Sequence, residues 1–106
     1  MQQDRDTDLR QRLELTGLSY ADWELESEAL RHAADASARS GLVDGHNLVR
    51  AGEIVDAIDA ELAMLDQISV GLSHDQVAGQ VQGVRDRLVA LRDQIRNAAR
   101  QMHGLT

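Results

Sequence analysis

The chain has 106 residues and a formal net charge of −7, with 42% apolar and 27% charged residues and no proline, cysteine or lysine. That length holds a single domain, residues 1–106, with one modest core. The missing cysteines exclude disulfides, thiol catalysis and thiolate metal sites, and the acidic balance opposes direct binding to a phosphate backbone.

All eleven basic residues are Arg, and Ala, Asp, Gly and Val are abundant, a composition that points to a GC-rich, bacterial coding genome. With no Phe, one Trp and one Tyr, the core must be built from Leu, Ile, Val, Ala and Met, a palette that favours helix over sheet. No proline interrupts a helix anywhere. The expected fold is all-α: an elongated helical bundle of three main helices plus a short N-terminal helix, with a long C-terminal antiparallel hairpin. Residues 1–8 are polar and acidic, unlike a secretory signal, and no stretch approaches the ~20 apolar residues that span a bilayer. A cytoplasmic protein without membrane contact is expected.

In chain order, residues 7–16 predict a short amphipathic helix with Leu9 and Leu13 inward, closed by Gly17. Residues 19–40 predict a second helix. Its stripe of Trp23, Leu30, Ala33, Ala34 and Ser37 has helical spacing, Leu18 and Trp23 stand at staple positions around a Ser19 N-cap, Asp22 suits the first turn, and Gly41 ends it.

Over residues 45–69, Leu48, Ala51, Val55, Ile58, Leu62 and Leu65 recur at steps of three and four, a heptad seam. Asp44 is the expected N-cap, with Val43 and Leu48 as its staple. Residues 73–103 carry a matching seam of Val77, Val81, Val84, Leu88, Leu91, Ile95, Ala98 and Met102. Ser73 and Gln76 have capping-box spacing, Leu72 and Val77 flank them as a staple, and Gly104 supplies the stop. Gly71 marks the turn between these arms, which fold back as a coiled-coil-like hairpin. The first arm is acidic with Arg50 as its one arginine and the second carries five arginines, so the arms attract. Folding about Gly71 brings Asp59 level with Arg85 as an ion pair across the seam.

The first arm has a further row, Ile54, Ala57, Met64 and Ile68, that a one-sided helix would not need. The helix over 19–40 is rich in alanine and covers little area. The row is therefore expected to form an interface, with Trp23 as an aromatic anchor, in a homodimer or against a protein partner.

Chemistry-bearing motifs are sparse. His32, His46, His74 and His103 lack metal-ligand spacing, so neither metal nor cofactor is expected. His46, Asn47 and Leu48, followed by Gly52, resemble the phosphorylatable helix of histidine phosphotransfer domains, which are also small acidic bundles. That resemblance implies His46 as a phosphoryl acceptor, although Val49 and Arg50 stand where the family has a lysine and a small residue. Glu53 and Asp56 match half of the paired-carboxylate pattern of all-α magnesium-dependent nucleotide pyrophosphohydrolases. Glu24, Glu26 and Glu28 do not supply the other half.

Leu9 to Trp23, with Thr16 to Ser19 as a turn, reads like the opening of a helix-turn-helix. The acidic residues Glu24, Glu26 and Glu28 that follow argue against direct nucleic-acid binding and suit either solvent or a basic protein surface. Gly79 and Gly83, four residues apart in the last helix, fit either a close backbone approach or a weak first turn. The balance of these features is a non-enzymatic protein–protein interaction module, a small adaptor, inhibitor, chaperone-like protein or regulator.

Overall fold

A computed structural model describes residues 2–70 and 75–104 and contains, among them, three α-helices and no strand. They are α1 (Gln2–Ser40), α2 (Gly45–Ser69) and α3 (Asp75–His103). Side chains are described from residues 7–70 and 78–104. The Ser73–Gln76 capping box, the Leu72–Val77 staple, Gly71 and His74 lie outside these.

The separate N-terminal helix is not present: residues 7–16 and 19–40 belong to one continuous α1 of 39 residues. The break expected at Gly17 is overridden by tertiary contact. Leu9, Leu13, Thr16, Tyr20, Trp23, Ser27, Leu30, Ala34 and Ser37 alternate in steps of four and three, and each is buried or half-buried. Keeping that seam on one face requires an unbroken helix through Gly17. Glycine inside a helix costs about 1 kcal/mol relative to alanine, less than the docking of the turns on either side contributes. Ser19 is accordingly an interior residue, and Leu18, expected as a staple, is 70% exposed.

α1 closes at Gly41, whose φ of 72° is the left-handed conformation glycine adopts without strain; its N–H donates to the Ser37 carbonyl at 2.7 Å. Asp44 caps α2, its carboxylate accepting the His46 N–H at 2.9 Å, and Val43 and Leu48 pack half-buried against the core. Gly104 follows α3, its N–H donating to the Arg100 carbonyl at 2.8 Å.

The helices run up, down and up in a rod of 56 × 18 × 17 Å. Its radius of gyration of 16.6 Å exceeds the ~13 Å typical of a compact chain of this size. α1 alone accounts for the long dimension, since 39 residues at ~1.5 Å each reach nearly 60 Å. α3 packs against both other helices. Its Val81, Leu88, Leu91, Ile95, Ala98 and Met102 are buried, facing a core that includes Ile54, Ile58, Leu62 and Leu65 from α2 and Leu9, Leu30 and Ala34 from α1. Val55 and Val84 are half-buried at its margin.

Candidate interaction surface

Polar side chains set the register of the bundle. Glu61, buried on α2, accepts hydrogen bonds from the Thr16 hydroxyl and from the Arg12 guanidinium, both on α1. Arg12 and Thr16 are one helical turn apart, so both reach the same carboxylate only if α1 is continuous and held at one height against α2. Sliding α1 by a turn would leave Glu61 charged and unpaired in a poorly solvated position, the situation that makes buried polar groups register markers. Farther along, Arg50 of α2 reaches Glu26 of α1 at 3.2 Å and Glu53 at 3.3 Å. Hydrogen bonding to Glu26, with its negative charge, holds the Arg50 pKa above its ordinary value.

Between α2 and α3, Asp59 pairs with Arg92 at 2.7 Å and Asp66 pairs with Arg85. The expected Asp59–Arg85 pair is therefore replaced. Asp59 and Asp66 are seven residues apart, as are Arg85 and Arg92, so the two pairs repeat one antiparallel register displaced by a heptad from a fold about Gly71. Counting alone cannot supply that offset, because the hydrophobic seams of both arms match themselves after any seven-residue shift.

The residues expected at an interface do not share one surface. Ile54 is enclosed in the core at 2% exposure, Trp23 and Ile68 are half-buried against it, and Ala57 and Met64 are exposed. Gly79 and Gly83 have open space where a Cβ would stand, so no neighbouring backbone among the described residues approaches them.

The chemical candidates are dispersed. His32, His46 and His103 are exposed on three different helices, and no group of three metal-ligating side chains occurs among the described residues. Glu53 is tied to Arg50, while Asp56 faces solvent. No described helix is long and apolar enough to cross a membrane.

What the sequence reading missed is the outer face of α1. Leu15, Leu18 and Leu25 are 54%, 70% and 69% exposed. They belong to a heptad row, Gln11, Leu15, Leu18, Asp22, Leu25, Ala29, His32 and Ala36, whose every member is exposed. This row lies across the helix from the buried seam, so α1 is apolar on two opposite sides. The signal was present in the three leucines, but placing them needed an α1 without a break at Gly17, since Leu15 and Leu25 otherwise fall on separate helices with Leu18 in the turn between them.

The surroundings of that row are acidic. Between Arg12 and Arg31 the chain contains Glu14, Asp22, Glu24, Glu26 and Glu28 and no basic residue. Glu26 is engaged with Arg50, and Glu24 lies beside Tyr20, whose phenol is shifted to a higher pKa by burial and by that neighbouring carboxylate. Glu14, Asp22 and Glu28 make no ion pair among the described residues.

Compared with protein-family models, with curated proteins and with solved structures, the chain matches none.

Proposed function

We propose that this protein is a non-enzymatic interaction module that seats another protein on the outer face of α1. The observation that carries this reading is the trio Leu15, Leu18 and Leu25, more than half exposed on a helix whose opposite face already supplies its share of the core. Single exposed leucines are ordinary on protein surfaces, whereas three in one heptad row form a stripe. Burying a leucine fully is worth ~1.5–3 kcal/mol, so three together provide a useful docking energy once ordering costs are subtracted.

The stiffness of the platform supports the same reading. α1 is anchored along its length by the Arg12–Thr16–Glu61 cluster and by Glu26–Arg50, so its outer face is displayed without a large conformational penalty on binding. A homodimer through Ile54, Ala57, Met64, Ile68 and Trp23 draws no support from their placement, because Ile54 is already enclosed within the fold.

The test is selection of binders from a displayed library of amphipathic helical peptides, followed by the same selection against Leu18→Glu/Leu25→Glu. The expected result is enrichment of binders that the double variant no longer retains, while its far-ultraviolet circular dichroism is unchanged. Enrichment that ignores the double substitution would place binding elsewhere. No enrichment at all would remove the interaction reading for this face.

A further inference from the structure

The charge around the leucine stripe specifies the chemistry of what covers it. Resting on the interaction reading above, we infer that the occupant of the α1 outer face is a basic amphipathic helix from a different protein, with apolar residues at heptad spacing and Arg or Lys flanking them.

The argument begins with geometry. Leu15 and Leu25 stand ten residues apart on one continuous helix, so the leucines lie along a line of ~15 Å at ~1.5 Å per residue. Such a line is matched by a second helix lying alongside it, knobs into holes, and a flat or extended partner would meet only part of it.

Charge then selects among helices. Glu14 and Glu28 flank the stripe and Asp22 sits within it between Leu18 and Leu25; none of the three is ion-paired among the described residues. A partner that covers the leucines brings its own flanking residues to these carboxylates. Arg or Lys there would turn three unanswered acids into interfacial pairs, and Asp or Glu there would force like charges together.

The same reasoning disfavours a second copy of this chain. A symmetric contact through α1 sets the segment between Arg12 and Arg31, five acids and no base, against itself. The chain's arginine-rich helix cannot serve as the partner either, since the apolar face of α3 is consumed within the bundle. Asp22 inside the row is thus a device against self-pairing as well as a contact for a cation, in the way a polar residue in a heptad seam selects a partner.

The experiment uses the full chain and three designed helical peptides that share one leucine heptad pattern and differ only in flanking residues: arginine and lysine, glutamine, or glutamate. Titration is followed by calorimetry at low and high salt, alongside molar mass by light scattering across a dilution series. The inference expects the basic peptide to bind at least about tenfold more tightly than the acidic one. That preference should shrink when salt rises from ~0.1 to ~1 M, as the screening length falls from ~10 to ~3 Å. Glu14→Lys/Asp22→Lys/Glu28→Lys should reverse the preference toward the acidic peptide.

Equal affinity for the three peptides, all lost in Leu18→Glu/Leu25→Glu, would overturn the inference about charge and leave the interaction reading standing. Failure of all three peptides to bind would remove both. A dimer that dissociates in Leu18→Glu/Leu25→Glu would show that a second copy is the occupant and would also overturn the inference.

Discussion

α1 and α3 are both long helices of one rod, yet they spend their apolar residues differently. Every large apolar residue described on α3 is buried or half-buried against the other two helices, and its outer side is polar and glycine-containing. α1 divides its leucines, with Leu9, Leu13 and Leu30 turned to the core and Leu15, Leu18 and Leu25 facing out, and fills part of its inner seam with Thr16, Ser27 and Ser37. α3 therefore has the profile of a helix whose packing ends inside the molecule. α1 carries large apolar side chains on two opposite faces, Leu9, Leu13, Tyr20, Trp23 and Leu30 inward and Leu15, Leu18 and Leu25 outward, the profile of a helix with a second surface to cover.

The difference is most exposed by making one substitution in both helices. Leu88→Ala removes a fully buried side chain from α3, and large-to-small changes of this kind cost about 2–5 kcal/mol. Urea unfolding should show that loss, whereas Leu18→Ala on α1 should move stability by no more than about 0.5 kcal/mol. Comparable losses at the two positions would erase the distinction.

Next in size is the polar cluster that fixes α1 in place. Glu61→Ala leaves Arg12 facing a vacated site; with the Arg12 side chain 27% exposed and that of Glu61 11% exposed, the expected loss is about 2 kcal/mol, below the 3–5 kcal/mol typical of fully buried pairs. Arg12→Ala and the double variant complete a cycle, and coupling close to zero would deny the cluster its role in register.

Gly17→Ala should stabilise the protein by about 0.5–1 kcal/mol, because a Cβ at Gly17 meets open space in a continuous helix. Destabilisation there would indicate that the chain turns at Gly17 after all. The smallest effect concerns Tyr20, the single tyrosine. Burial and the Glu24 carboxylate raise its pKa above the ordinary tyrosine value, so its contribution to stability is fully present below pH ~10 and is lost as pH rises through the folded-state pKa. The tyrosinate absorbance of the folded chain should therefore appear at higher pH than that of the urea-unfolded chain, and coincident curves would contradict the packing of Tyr20.

The parts of this fold that could be read from sequence are those where apolar spacing and capping chemistry agree. α2 combines an Asp44 cap with a seam through Ile58, Leu62 and Leu65, and α3 has Leu88, Leu91 and Ile95 in uninterrupted alternation. α1 was misread because its seam runs through Thr16 and Ser27, polar residues that hide a heptad, and because Gly17-Leu18-Ser19 looks locally like a stop followed by a cap. The hairpin ion pair was displaced for a different reason: seven-residue periodicity in both arms leaves the offset between them undetermined until Asp59 meets Arg92 and Asp66 meets Arg85. The outer leucine stripe depended on the first of these points. Leu15, Leu18 and Leu25 become one row only when α1 is one helix.

The most direct test of the two-faced α1 is the stability of Leu18→Glu/Leu25→Glu, measured by urea unfolding with circular dichroism. If both leucines face solvent on a continuous helix, the double variant should retain its helicity and unfold within about 1 kcal/mol of the parent, each surface change contributing no more than about 0.5 kcal/mol. A loss of several kcal/mol, or collapse of the helical signal, would mean that these leucines belong to the core and that α1 has no outer face to offer.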